Sequence, residues 1–231
     1  MNARSPRNLS GIGMTSQRTR ARMVDRLREK EIRDERVLAA MAVVPRHVFV
    51  EEALASRAYE DTALPIGFSQ TISQPFIVAR MIEVLLEGAD PGRKLGKVLE
   101  VGTGCGYQAA VLAQLADEVY SVERLGGMLE RARANLLGLK LSNLRLAHGD
   151  GHQGLEKAAP FDSIIVAAAA THVPVALLRQ LAVNGKMVIP VRTPGAGRNV
   201  QRLVVIERGA RGYVESELDP VRFVPLELGK A

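Results

Sequence analysis

The stretch "KVLEVGTGCGYQAAVLAQLA", residues 97–116, decides the fold. It opens with KVLEV, which has the length and the apolar, β-branched character of a short buried strand. Gly102, Gly104 and Gly106 follow at alternate positions, and YQAAVLAQLA then reads as a helix. A strand passing through glycines into a helix is the first turn of a βαβ unit. Glycine permits positive φ there and lets a ligand lie against the backbone, beside the free N–H groups of the helix start.

The alternation continues downstream. "EVYSVE" (118–123), "NLRLAHGD" (143–150), "FDSIIVAAAA" (161–170) and "GKMVIPV" (185–191) read as further strands, with "LGGMLERARANLLGL" (125–139) and "PVALLRQLA" (174–182) as helices. Strands alternating with helices of this length specify a mostly parallel sheet with right-handed crossovers. "VQRLVVIER" (200–208) and "YVESELDPVRFVPL" (213–226), joined by a Gly-containing turn, predict an antiparallel pair closing that sheet. Upstream, residues 17–30 predict a weakly specified helix. "DERVLAAMAVVPRHVF" (34–49) predicts a helix stopped by proline, and "FIVARMIEVLLEG" (76–88) one ended by Gly88. "YEDTALPIGFSQTISQP" (59–75), rich in turn formers, reads as loop and short extended pieces. The expected architecture is α/β: one doubly wound domain over residues 23–231, with an N-terminal helical layer (23–95), an α/β core (96–231) and a flexible basic arm (1–22) ahead of it.

The chain has 231 residues and a net charge of +6, and the whole excess falls in residues 1–30. The remaining body is balanced and offers no broad basic face, so nucleic acid is not an expected partner. No run approaches the roughly 18 apolar residues of a membrane span, and the N-terminus lacks the apolar core of a signal peptide. A single cysteine, Cys105, excludes an internal disulfide, so a reducing compartment, the cytoplasm, is expected. The evenly charged body gives no oligomer signal, and a monomer is expected. His47, His148, His152 and His172 lack metal-ligand spacing, so no metal is expected either.

Three carboxylates narrow the ligand. The loop spacing is G-x-G-x-G, whereas the dinucleotide fingerprint is G-x-G-x-x-G. Glu100 immediately precedes the loop, Glu123 ends the second strand, and Asp150, followed by Gly151, ends the third. An acid at the end of strand two suits ribose hydroxyls. Glu100 would repel a pyrophosphate and favour a cation, and Asp150 could accept from an adenine amino group. Each acid alone reads equally well as a cap or a loop residue. Together they indicate S-adenosylmethionine, whose sulfonium is positive. One more feature stays open: Ser73, in "SQTISQP" (69–75), reads either as a helix cap ahead of Pro75 or as a hydroxyl held for chemistry.

"ALPIGFSQTISQPFIVARMIEVL", "VLEVGTGCGYQAAVLAQLA", "VYSVER", "HGDG", "PFDSIIV" and "VRFVPL" together resemble the protein-L-isoaspartate (D-aspartate) O-methyltransferase family from about Ile32 to Leu226. The glycine loop is generic to class I methyltransferases; "QTISQP" with "VRFVPL" is specific to this family. The resemblance implies a Rossmann-like methyltransferase fold. It also implies methyl transfer from S-adenosylmethionine to the free α-carboxylate of L-isoaspartyl residues in damaged proteins and peptides, which begins their repair. On that basis Ser73 orients the acceptor carboxylate, and Thr71 and Gln70 shape a lid. Glu100, Gly102, Gly104, Gly106, Glu123, Asp150 and Gly151 hold the donor with Thr71. Ala167, where the family has Thr, and Ser69, where it commonly has Gly, fall near the expected acceptor pocket. Cys105 reads as a small loop residue and not a nucleophile. Two other readings share the donor residues: a methyltransferase for another small-molecule or RNA acceptor, and a non-catalytic binding module.

Overall fold

Alternate residues of the central strands pack into two different apolar clusters, one on each face of the sheet. Val98 of β3 (Lys97–Val101), Ile165 of β6 (Phe161–Val166) and Val188 of β7 (Leu181–Arg192) face one cluster. Their neighbours Leu99, Ile164, Ile189 and Met187 face the other. This period of two on both faces marks a sheet covered on both sides. The computed structural model describes residues 9–90, 92–193 and 200–231.

Among the described residues the main sheet has seven strands, in the order β5 (Leu144–His148), β4 (Glu118–Glu123), β3, β6, β7, β8 (Gln201–Gly209), β9 (Gly212–Val221). β4 and β5 run parallel to β3 on one side, and β6 and β7 on the other. β8 and β9 add the antiparallel pair expected at the C-terminus. The first cluster is covered by α1 (Gln17–Glu29), α2 (Glu35–Val43), α3 (Pro75–Leu86), α4 (Tyr107–Leu115) and α5 (Gly126–Leu136). The second is covered in part by α6 (Val175–Gln180). Between α2 and α3 a hairpin of β1 (Leu64–Gly67) and β2 (Gln70–Ile72) forms a separate two-stranded sheet. No helix among the described residues is long and apolar enough to cross a membrane.

Three sequence-based boundaries shift. The helix expected over 174–182 stops at Gln180, because Leu181 already pairs with Phe161 and belongs to β7. The last strand ends at Val221, where the side chain of Gln201 brackets Phe223, accepting from its N–H and donating to its carbonyl. Residues 224–226 therefore turn back and pair with Ala169. The arm expected over 1–22 overlaps α1: Arg20 is buried on that helix and donates to the Val43 carbonyl at 2.6 Å. Residues 1–8 lie outside the described residues.

Two glycines show different reasons for lacking a side chain. Gly88 follows α3 with φ +78°, and a Cβ there would meet nothing within 4 Å. Gly106 caps α4 with φ +91°, and a Cβ there would lie 2.9 Å from Leu136 Cδ1, so α5 could not pack as closely. Gly88→Ala should therefore cost about 1–2 kcal/mol, the strain of a left-handed residue. Gly106→Ala should cost more by about another 1–3 kcal/mol for overpacking. Urea denaturation of both variants measures the difference; equal losses would remove Gly106 from the packing role.

Candidate active site

The loops after β3 and β6 leave the sheet on either side of a cleft, and the chain lines that cleft from four directions. The glycine loop supplies Gly102, Thr103, Gly104 and Cys105, with Tyr107 and Gln108 from the start of α4. Glu123 ends β4, with Arg124 and Leu125 after it; Gly151, Ala167 and Ala168 come from the turns after β5 and β6. Gln70, Thr71, Ile72 and Ser73 form the opposite wall, and Val224 to Glu227 of the returning tail complete it. The cleft encloses about 860 Å³ of empty space, open solvent at its mouth included.

Glu123 organises the glycine-loop side of the cleft. It is buried, its Oε2 accepts from Gly104 N–H at 2.9 Å, and its Oε1 accepts from Leu125 N–H at 3.0 Å. One carboxylate thus ties together the loops after two adjacent strands, and each oxygen keeps a lone pair for a ligand hydroxyl. Gly102 has φ +94°, a conformation that side chains rarely adopt, so the backbone here stays bare and open to close approach. Gln108 lines the cleft at the start of α4, while its buried amide approaches Glu100 beneath the loop. A cleft with spare carboxylate lone pairs and a bare glycine backbone fits an adenosyl ligand with an amino-acid tail.

Glu100 does not line this cleft. It is fully buried beneath the loop, where its Oε2 accepts from the Ser121 hydroxyl, itself 2.6 Å from Thr103 Oγ1. Its Oε1 has no partner, since the approaching Gln108 amide closes no hydrogen bond of good geometry. Burial, against the Ser121 hydrogen bond and with the Glu123 charge adding to it, pushes the carboxyl up to about 8. At neutral pH the group is mostly protonated, so it supports the loop from below as a neutral acid and presents no charge to the cleft. Gly106 likewise packs on α5 away from the ligand space.

Asp150 is also spoken for. Its Oδ1 accepts from His152 N–H and its Oδ2 from Gly229 N–H, both at 2.9 Å. Although burial pushes its pKa up, these N–H groups and the His152 ring hold it below the usual carboxylate range. The carboxylate thus fastens the C-terminal tail, while its neighbour Gly151 faces the cleft. Cys105 is buried, and burial pushes its thiol up to about 11, leaving no thiolate near neutral pH. Among the described residues no group of three or more His, Cys, Asp or Glu side chains could hold a metal ion.

The capping question at Ser73 is answered by its neighbours. The N-cap of α3 is Gln74, and no side chain of the cap position bonds the helix. Asp61, from the preceding loop, accepts from Phe76 N–H at 2.8 Å and serves the helix start instead. Among the described residues the Ser73 hydroxyl makes no hydrogen bond, and it lines the cleft opposite the glycine loop. Sequence reasoning missed Asp61, and it missed Arg46, whose Nη2 donates to the Ser73 carbonyl at 2.7 Å. Neither carries a local signal, because both act across loops more than ten residues away.

Glu100 gives a pH signature. A carboxyl raised from 4.5 to about 8 binds its proton more tightly when folded, so its contribution to stability is full below about pH 4.5 and is lost as pH rises through 8. The stability of the wild type relative to Glu100→Gln should therefore fall between pH 5 and pH 8, approximately, in urea titrations. A difference that stays flat, or rises, would mean that the buried carboxyl is ionised throughout.

Comparison with known proteins fits this geometry. The family model for protein-L-isoaspartate(D-aspartate) O-methyltransferase matches residues 18–231. The chain is 68% identical to the protein-L-isoaspartate O-methyltransferase of Dechloromonas aromatica over 96% of its own length and 99% of that protein. It is 59% identical to the one from Methylobacillus flagellatus, over 94% and 96% of the two chains. Among solved structures, a protein-L-isoaspartate O-methyltransferase superposes with TM-score 0.80 at 28% identity, covering 91% of this chain and 67% of that one. A Plasmodium falciparum relative, solved with S-adenosyl-L-homocysteine, gives 0.75 at 26% identity over 90% and 98% of the two chains. The chain belongs to the protein-L-isoaspartate(D-aspartate) O-methyltransferase family.

Proposed function

We propose that the chain methylates the free α-carboxylate of L-isoaspartyl residues in damaged proteins and peptides, using S-adenosylmethionine, and so initiates their return to aspartate. The observation that carries this reading is Ser73: it lines the cleft with the glycine loop, Asp61 serves the helix start in its place, and its hydroxyl makes no hydrogen bond among the described residues. When bound, the donor supplies a methyl group on a positive sulfur, which an ionised carboxylate can accept without a general base.

The chain's own task is then positioning. Glu123, with Gly102, Gly104 and Gly151, would hold the donor, and the neutral Glu100 would keep the loop in shape from beneath. Ser73 would donate its O–H to the acceptor carboxylate and fix which oxygen points inward. Gln70 and Thr71 would cover the reacting groups and exclude water. No metal takes part in this scheme. The small side chains of Ala167 and Ala168 leave room for the kinked backbone of an isoaspartyl linkage. An acceptor of another class is not favoured, because the family match includes residues 70–73 and 224–227 on the acceptor wall. We further read the protein as a cytoplasmic monomer.

The test uses methyl-labelled donor and two peptides identical except for one L-isoaspartyl or one normal aspartyl residue. Base-labile label should appear on the isoaspartyl peptide alone; label on neither, with donor binding intact, would sink the repair reading. Ser73→Ala should lower turnover about tenfold to a hundredfold, the cost of misplacing a reacting group. Donor affinity should stay the same, and so should the melting temperature, since the hydroxyl makes no internal hydrogen bond to lose. Unchanged turnover would return Ser73 to a passive place on the wall.

A further inference from the structure

Arg46 is a fully buried charge, and among the described residues no carboxylate is hydrogen-bonded to it, although the Asp61 charge acts on it. It lies in the short 3₁₀ turn Arg46–Phe49 that follows the proline stop of α2, and its solvent exposure is 0%. Nε donates to the Ala58 carbonyl at 2.8 Å and Nη2 to the Ser73 carbonyl at 2.7 Å. The guanidinium carbon sits 4.8 Å from the centroid of the Tyr107 ring, whose other neighbour, Phe49, meets it edge-on at 5.5 Å. Nη1 is buried without a hydrogen-bond partner. Burial pulls the guanidinium pKa down, and the charge nonetheless persists, because arginine starts so high.

Such a group is a poor choice if stability is its only purpose. A buried charge gives up its hydration, and two carbonyl dipoles with a ring face return only part of it. A well-packed apolar residue would serve the core better. What the guanidinium does supply is a rigid planar fork that reaches three separate segments at once. One is the 3₁₀ region ending at Ala58. The second is the peptide plane between Ser73 and Gln74, which sets where the Ser73 side chain projects. The third is Tyr107, the first residue of α4 and part of the cleft wall immediately after the glycine loop. The acceptor wall and the donor wall are therefore referenced to one side chain.

We infer that Arg46 is a positioning residue for methyl transfer: by holding the Ser73 carbonyl against a guanidinium stacked on Tyr107, it fixes the distance and angle between the acceptor-orienting hydroxyl and the donor loop. This rests on the role proposed for Ser73. Arg46 touches neither substrate; it acts through Ser73.

A kinetic cycle in the full-length protein tests this. Single-turnover methyl transfer to the isoaspartyl peptide is measured for wild type, Arg46→Lys, Ser73→Ala and the double variant, with donor affinity and melting temperature recorded for each. Arg46→Lys keeps the charge but not the fork, and should slow transfer about tenfold or more with donor affinity unchanged within about twofold. In the Ser73→Ala background the same substitution should cost little further, because its route of action is already gone. Arg46→Gln, which can still donate to one carbonyl, runs in parallel as the uncharged variant and should show the same non-additivity. Equal fold-losses in both backgrounds would overturn the inference and leave the proposed reaction untouched. So would failure of both variants to fold, since Arg46 would then be a stabilising residue only. If Ser73→Ala alone transfers at the wild-type rate, the role of Ser73 and this inference fall together. The labelled-peptide selectivity of the wild type still reports separately on the reaction.

Discussion

The site exists because the strand order turns round at β3. The chain lays β4 and β5 to one side of it and β6 and β7 to the other, so the loops leaving β3 and β6 diverge over the carboxyl edge of the sheet. The cleft between them is not carved out of the core; it is left by the winding. Everything that makes it specific is placed relative to that gap. Glu123 joins the loops after β3 and β4 through two backbone N–H groups. The returning tail pairs with Ala169 just beyond β6 and so closes the other side. The hairpin and the segment to Ser73 form the remaining wall.

The buried ionisable groups around the cleft follow a common logic. Taking a charge out of water is costly unless the group is neutralised or well bonded. Glu100 is neutralised, its proton held because burial raises it to about 8. Glu123 is bonded by two N–H groups, and the half-buried Asp150, beside the cleft, by two more. Arg46 is held by two carbonyls and the Tyr107 ring, with the Asp61 charge acting on it without a hydrogen bond between them. On the cleft wall itself Arg124 and Glu227 pair with each other at 2.8 Å, so the charges that remain there are compensated. This suits a reaction that requires alignment more than proton transfer.

Much of the fold was legible in the sequence because periodicity carries it. "KVLEV", "EVYSVE" and "FDSIIV" read as strands, the helices of the first layer showed their spacing and stops, and the glycine loop announced the ligand edge. The acids were less legible. Glu100, Glu123 and Asp150 each end or nearly end a strand, and in sequence they look alike. Only the packed structure separates one buried under the loop, one facing the cleft and one fastened to Gly229. Ser73 was ambiguous for a similar reason: its own neighbours read as a cap, and the residue that removes the ambiguity, Asp61, lies twelve positions upstream. Arg46 gave no signal, because "VPRHVF" reads locally as a helix stop and its partners Ala58 and Ser73 are settled by tertiary packing.

The wall that carries Ser73 cannot hold its own place. A two-stranded hairpin is marginal in water, and this one turns through Phe68 and Ser69, both at positive φ without being glycine. It is therefore held from outside at several points. Arg131 of α5 donates to the Ile66 carbonyl at 2.6 Å, and the Phe68 ring lies so close to Gly127 that a Cβ there would meet its Cζ at 2.8 Å. At the far end Arg46 holds Ser73 and Asp61 holds Phe76. The α5 anchor is the telling one. The same helix begins beside Leu125, whose N–H is bound by Glu123, the carboxylate that shapes the donor loop. Any shift of α5 would displace the hairpin and strain the Glu123 tie together. The hairpin wall and the glycine-loop wall are thus coupled twice, through α5 and through Arg46. A hairpin with two non-glycine residues at positive φ can persist because both couplings constrain it.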